Sequence, residues 1–435
     1  MAATGTAQLI KRYRAEAERK HGKSPEQLYE EREARIRDAI ALRQPDRVPV
    51  RMGMTYFPAT YAGIPKSVAY YDAAAWHQAV IKTVCELEPD VYMVSGGMSP
   101  GTVLDLLQPT QTKWPGGPLP PNSSHQAIDV ECMKESEYDL FLADPTDFTI
   151  RYLLPRAYGA LAPLAGFPEI ADRFFGVTAV TELFTRPEYR ELGRKLVRAG
   201  RESQKWRLAS GNIEADMAAV GFPPSGHMGG AGGAPFDMIS DFYRGMRGAM
   251  TDMYRCPDKL LAACDMLLQR RLTHALPANP NMPGNPKRVF IALHRGAEGF
   301  MSRKQFEKFY WPGLKAAMLK SIELGFVPMP FCEGRYGDRL EYLLELPKGK
   351  VVAHFDQTDM FRAKEVLRDH VCIMGNVPPS LLQVASPSEV EEYCAKLIKV
   401  CGKGGGFILT NGSSIDEAKP KNIKAMIESA KKYSP

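Results

Sequence analysis

The second half of the chain alternates short apolar runs with amphipathic helical patterns, and this rhythm constrains the fold more than any other feature. Strand-like runs fall at 216–222 ("DMAAVGF"), 288–294 ("RVFIALH"), 326–331 ("FVPMPF"), 350–355 ("KVVAHF"), 371–375 ("VCIMG") and 406–412 ("GFILTNG"). Helical patterns separate most of them. In "MSRKQFEKFYWPGLKAAMLKSIELG", Leu314, Met318 and Ile322 recur every fourth residue. "SPSEVEEYCAKLIKV" opens with a capping box of Ser386 and Glu389 and carries one apolar stripe of Val390, Cys394, Leu397, Ile398 and Cys401. Two earlier runs, "VPVRMGM" (48–54) and "DVYMVSGG" (90–97, closing in glycines), bring the strands to eight. Eight strands alternating with helices predict a parallel (β/α)8 barrel; a doubly wound sheet is the alternative that pattern alone leaves open.

Ahead of the first strand, residues 1–45 read as a charged helical extension, with Ser24 as an N-cap and Pro25 at the first helical position. The remainder, 46–435, is expected to be a single barrel domain. A long insertion follows the second strand from about 98 to 170. Its "KWPGGPLPPNSSHQ" is rich in Pro and Gly and must be loop, long enough to cover an active site.

A net charge of +6 over 435 residues, with both signs interspersed and no basic block holding aromatics, excludes a nucleic-acid partner. No apolar run approaches the length of a membrane span, and "LIKRYRAEAERKHGK" mixes Glu among its bases, unlike a targeting leader. A cytoplasmic location is expected. The eight cysteines are scattered without a CxxC pair, as reduced core residues would be.

One strand ends unusually. In "FVPMPFCEGRYGDRLE" an apolar run closes on Cys332 and Glu333, a thiol beside a carboxylate where a strand opens into a loop. Rigid strand ends with shaping loops often hold chemistry in α/β proteins, although a core Cys beside a solvated Glu is the plainer explanation. Other strand ends offer His294 in "IALHRG" and His354 with Asp356 in "VVAHFDQTD". Each lone histidine is ordinarily a core or surface residue. Together, His294, Glu333 and Asp356 could surround one zinc ion or act as general acids, with Cys332 as a reserve ligand. Strand alternation turns Cys332 to the face opposite Glu333, toward the outer helices. Arg295 could instead pair with Glu333 in a metal-free group. Met54, Tyr56, Phe57, Tyr61 and Phe222, near predicted strand ends, could line a flat apolar pocket or simply pack. Asn376 in "GNVPP" could orient a substrate or cap its turn.

Six segments occur in a telling order: "PDRVPV", "GGAPFDMI", "GFMSRKQFEKFYWPGLK", "GNVPPSLL", "SPSEVEEYCAKLI" and "GGGFILTNG…AKPKNIKAM". Together they resemble the uroporphyrinogen decarboxylase superfamily, which also contains methyltransferases acting with corrinoid proteins. The resemblance covers most of 40–430 and implies a (β/α)8 barrel with its site at the C-terminal strand ends. The departures matter. The decarboxylase's arginine-rich "MRQAGR"-like segment after the first strand is replaced by "VRMGMTYFPAT", which keeps only Arg51. The methyltransferase branch holds zinc through a His-x-Cys pair and a later Cys. Here Phe331 stands for that His, Glu333 for the first Cys and Ser413 for the last.

Loss of the thiolate ligands argues against a thiol acceptor and toward removal of methyl groups from a donor. The resemblance therefore implies a methyltransferase that takes methyl from a small donor, such as a methoxylated aromatic, to cobalamin carried by a separate corrinoid protein, since no "DxHxxG" motif is present. The glycines of "GFPPSGHMGGAGGAPFD" (221–237) would let the backbone approach that planar cofactor, with His227 as a polar contact. Zinc at Glu333, His294 and Asp356 is the implied Lewis acid, and self-association as a homodimer is left open. The rivals are a decarboxylase of another carboxylated substrate, with an arginine clamp around Arg51 and Arg295, and a barrel that binds ligand without turnover.

Overall fold

The computed structural model describes residues 2–95, 99–168 and 176–434. Seven strands form the staves of a barrel: β1 (Arg51–Met54), β2 (Val91–Val94), β3 (Lys287–Leu293), β4 (Phe326–Cys332), β5 (Val352–Phe355), β6 (Cys372–Val377) and β7 (Phe407–Asn411). β1 pairs with β2, and β3 through β7 pair in sequence order, all in parallel. A parallel bridge between Val50 and Leu409 joins the last stave to the first. The glycines expected to close β2 lie outside the described residues.

The eighth stave corrects the sequence reading. Residues expected as a strand at 216–222 are helical over Ile213–Ala219, capped by the Asn212 side chain accepting from the backbone of Ala215. The stave is the extended segment that follows. Pro224 bridges Tyr92 of β2, and His227 bridges Val289 of β3. Ser225 donates its N–H to Tyr92, and His227 exchanges backbone bonds with Arg288 and Phe290. Pro223 and Pro224 lack N–H groups, so this stave closes the barrel without a continuous ladder.

Two helices precede the barrel, α1 (Ala2–His21) and α2 (Pro25–Ile40). α2 begins as expected, with Ser24 as its N-cap and Pro25 in the first turn, and Gln27 adds the return half of a reciprocal capping box. Its inner face seals the N-terminal end of the barrel. Ile36, Ala39 and Ile40 pack with Val91, Val327, Val352, Cys372 and Ile408, near the starts of successive staves. Glu33 and Arg288 form a buried ion pair there, and Asp90 receives Arg35, Arg47 and the N–H of Val50. With that end plugged, only the C-terminal mouth is left for a site.

The segment after β2 is more helical than expected, with a helix at Gly101–Leu107 and several short helical turns beyond Glu135. The Pro/Gly loop is the tip of a two-stranded antiparallel ribbon, Thr112–Lys113 against Gln126–Ala127. Ser124 and His125 from this tip reach Asp416 and Tyr56, beside the mouth-side ends of β7 and β1. All eight cysteines are free. Among the described residues no helix is long and apolar enough to cross a membrane.

Candidate active site at the barrel mouth

The helical segment that begins at Pro235, after the glycine-rich loop, builds one wall of the site. Asp237 and Asp241, one turn apart, both reach the end of β3. Asp237 is buried and accepts the backbone N–H groups of His294 and Arg295, each at 3.0 Å, and the Tyr310 hydroxyl at 2.6 Å. Burial pushes its carboxyl up to about 6, against the lowering pull of those donors. It fixes the direction in which β3 releases its two charged side chains.

Asp241 takes both. His294 Nδ1 lies 2.5 Å from its Oδ2, and Arg295 Nη2 lies 3.1 Å from its Oδ1. Arg295 Nε also donates to Ser240 at 3.0 Å, and its guanidinium sits over the Phe300 ring. The hydrogen bond to Asp241 raises the pKa of His294, opposed by partial burial and assisted by the charges of Asp237 and Glu333. The Arg295–Glu333 pair that the sequence left open as an alternative is replaced by Arg295–Asp241, and among the described residues the Glu333 side chain has no direct partner.

Glu333 directly follows β4 on the exposed rim. Partial desolvation raises its pKa; His294 and Arg295 pull it down, while Asp356 and Asp241 push it up. Asp356, at the end of β5, accepts from the N–H of Gly334 at 3.2 Å, and its pKa is raised by burial. A side chain on Gly412 would come within 3.1 Å of Asp356 Oδ1, so the end of β7 approaches this carboxylate closely. Thus His294, Glu333 and Asp356, from three consecutive staves, share one electrostatic neighbourhood.

Cys332 does not join them. It is buried among Leu293, Phe306, Leu314 and Phe355, behind the barrel wall, with Sγ 3.9 Å from the carbonyl of Pro330. Burial pushes its thiol far up. Alternation along β4 thus answers the pairing of thiol and carboxylate: the thiol packs and the carboxylate faces the mouth. His294 Nδ1 is engaged by Asp241, and Asp356 by Gly334. Among the described residues no group of three or more His, Cys, Asp or Glu side chains is placed to hold a metal ion. The donor set expected for zinc does not fit such a site in this arrangement.

The other expected site residues are spread more widely. Met54, Phe57 and Phe222 are core residues, and the Phe222 ring carries Arg32 at 3.8 Å. Tyr56 is buried, but its hydroxyl meets Tyr70 at 2.8 Å and His125 Nδ1 at 3.0 Å. Tyr61 donates to Glu86. His227 is held between Glu214 and the carbonyl of Pro283, and Asn376 spends its amide N–H groups on the carbonyls of Asp356 and Thr358. The glycines at 226, 230, 232 and 233 each have protein atoms where a side chain would begin, from Met329, Ser321, Arg271 and Ile291. They serve close packing against the protein's own wall, and the loop's planar-ligand role finds no support there.

Asp241→Asn tests the electrostatics of the pair. The His294 pKa should fall by about one unit or more when its ionic partner becomes neutral. An NMR titration of the His294 ring checks this; an unchanged pKa would remove Asp241 as the cause. Because the folded-state pKa is raised, the pair's contribution to stability is complete below the unfolded value near 6.5 and fades as pH rises through the folded one.

Residues 222–433 match the family model described as "Uroporphyrinogen decarboxylase (URO-D)". A uroporphyrinogen decarboxylase of Coxiella burnetii (strain RSA 493 / Nine Mile phase I) is 24% identical over 132 residues, covering 30% of this chain and 36% of that protein. The corresponding protein of Psychromonas ingrahamii (strain DSM 17664 / CCUG 51855 / 37) is 27% identical over 141 residues, 31% and 39% of the two lengths. The chain thus spans less than half the length of these curated relatives. A solved methyltransferase from Methanosarcina mazei aligns over 92% of this chain and 98% of its own, with a TM-score of 0.55 and 13% identity. That likeness shows a shared TIM-barrel-type fold, and the superfamily resemblance read from the motifs is borne out over the half that carries β3 to β7.

Proposed function

We propose that this chain, whose barrel resembles the uroporphyrinogen decarboxylase superfamily, moves a methyl group from a methoxylated aromatic donor to the cobalt of a corrinoid carried by a partner protein. The observation that carries the reading is a carboxyl of raised pKa, Glu333, in electrostatic reach of the His294–Asp241 pair at the mouth. Removing methyl from an ether leaves charge on oxygen, and a proton supplied there stabilises the transition state. The corrinoid, when bound, would supply the electron pair that takes the methyl group. Glu333 would give its proton to the departing oxygen. His294, whose hold on a proton Asp241 strengthens, would keep a second positive charge beside it, and solvent at the exposed rim would restore the proton of Glu333 afterwards.

Methoxylated aromatics incubated with cob(I)alamin test the reading: methylcobalamin and the demethylated phenol should appear in equal amounts. No methyl transfer from such a panel would sink it. Elemental analysis of the wild type beside Glu333→Ala checks the acid role separately. Close to one zinc per chain, lost in the variant, would mean that these carboxylates close on an ion and would pass the role from proton to metal.

A decarboxylase of a carboxylated substrate is the second reading, favoured by the curated relatives. The clamp it needs is incomplete, because Arg295 is already paired with Asp241.

A further inference from the structure

The long helix α3 (Pro187–Ser210) belongs to the segment between β2 and β3. It holds seven Arg or Lys against three Glu, a formal +4 where the whole chain carries +6. Its inner face is fixed. Tyr189 and Leu192 pack with Leu161 and Leu183, and the Tyr189 hydroxyl donates to the carbonyl of Pro163 at 2.7 Å. At its far end the carbonyl of Ser210 meets His77 Nδ1 at 2.6 Å. These contacts decide which side faces out. At 3.6 residues per turn, Arg190, Arg194, Arg198, Arg201 and Lys205 share one arc of about 100°. Val197 and Leu208 stand on the same arc, no acid falls inside it, and all seven residues are exposed.

Bases on other helices reach acids of neighbouring elements, as in Arg14–Glu26, Lys20–Glu88, Lys315–Glu345 and Lys432–Glu391. On this arc none does. Arg194 and Lys205 pair only within α3, with Glu191 and Glu202, and among the described residues Arg190, Arg198 and Arg201 have no acid partner. Arg190, Arg194 and Arg198 follow one another every four residues, as do Arg201 and Lys205, a spacing at which like charges destabilise a helix. The apolar members are as poorly served. Val197 is 56% exposed, and Leu208, at 84%, more than any other large apolar side chain among the described residues. Beside Leu208 and Lys205 a cleft of about 660 Å³ opens toward α1, lined by Ala7, Ile10 and Ala74. One face thus offers cations without anions and aliphatic groups without cover. A surface that is anionic on top and apolar just beneath satisfies both.

We propose that the outer face of α3 docks on an anionic phospholipid bilayer as a peripheral contact. The four arginines and Lys205 lie against headgroup phosphates, and Val197 and Leu208 enter the layer beneath. From Arg190 to Leu208 the arc runs about 27 Å at 1.5 Å per residue, so a flat surface touches all of it at once. A nucleic acid would meet the cations but leave Val197 and Leu208 without an apolar partner. Each Lys or Arg held at an anionic membrane multiplies binding about fivefold, and salt screens the effect. The inference concerns a surface apart from the mouth and stands whichever reaction the mouth performs.

Sedimentation of the full chain with vesicles is the test. Vesicles of equal parts phosphatidylglycerol and phosphatidylcholine should bind it about tenfold or more better than phosphatidylcholine alone, and added salt should release most of it. Arg198→Glu/Arg201→Glu should bind about a hundredfold more weakly, because each reversal replaces an attraction by a repulsion. Arg198→Gln/Arg201→Gln should lose about 25-fold, the product of two such factors, and carries the test if the reversed variant does not fold. Leu208→Ser should weaken binding severalfold. Denaturation midpoints should stay put, since these side chains point to solvent. Lys403→Glu/Lys421→Glu changes the net charge equally at exposed positions outside α3 and should bind as the wild type does. A loss there equal to that of Arg198→Glu/Arg201→Glu would mean net charge alone and overturn the proposal. Equal sedimentation with both lipids, or full binding by Arg198→Glu/Arg201→Glu, would overturn it as well. Poly-glutamate that strips the protein from the vesicles at a lower charge concentration than the lipid presents would assign the face to an acidic protein and end the bilayer's claim.

Discussion

Glu33→Ala is expected to cost about 3–5 kcal/mol of folding stability, the range for breaking a buried pair from one side. Glu33 and Arg288 are each 2% exposed in their side chains, and they meet through two parallel bonds of 2.7 and 2.8 Å. Arg288 also donates to the carbonyls of Ser225 and Pro224, and Glu33 accepts from the N–H of Asn285. The pair therefore ties α2 to β3 and to the proline-bearing stave that has the fewest ladder bonds. Alanine leaves a guanidinium buried without its acid. Urea denaturation should show a lower midpoint with an unchanged slope. The double variant Glu33→Leu/Arg288→Met should recover most of the loss, since replacing both charges by apolar groups of similar volume is often neutral. A loss under about 1 kcal/mol for Glu33→Ala would mean that water reaches the pair and that α2 seals the barrel by its apolar face alone.

The pair also marks where the sequence stops being legible. Arg288 opens a recognisable strand and Glu33 sits in a recognisable helix, yet 255 positions separate them and no local pattern joins them. What local pattern could fix was read well. The runs at β3 to β7, the N-cap at Ser24 and the capping box at Ser386 stand as expected, because periodicity and caps are short-range physics. The stave near 220 was misplaced for a local reason. Met217, Val220 and Phe222 suit a short strand or a helix turn alike, and Asn212 as an N-cap, with the two prolines after Phe222, was the signal that should have decided it.

The site divides in the same way. Strand ends at His294, Glu333 and Asp356 could be read, because each closes an apolar run. Asp237 and Asp241 were missed, although both lie four apart in the segment that follows "GGA", a spacing that puts two carboxylates on one helical face. Cys332 was separable from Glu333 by alternation alone, and the fold agrees. The aromatic positions were not separable, since Met54, Phe57 and Phe222 meet the same apolar demand whether they pack or line a pocket.

Glu333→Gln should lower methyl transfer by about 10²–10⁴-fold, the usual contribution of a positioned acid. Glutamine keeps the shape and can still donate a weak hydrogen bond, so the loss isolates the proton. The pH profile gives a sharper test. An acid acts in its protonated form, so the wild-type rate should fall as pH rises through the raised pKa of Glu333. Glu333→Gln should lose that limb. Asp356→Asn removes a negative charge that pushes Glu333 up, and the limb should move to lower pH while the site keeps its acid. Asp241→Asn acts oppositely through two routes. It removes another upward push on Glu333, but it also weakens the cationic state of His294, which pulls Glu333 down. Its limb should move less than that of Asp356→Asn. A profile unchanged in Glu333→Gln would assign the limb to His294, whose cation is also lost as pH rises, and would make that histidine the proton donor to the departing oxygen.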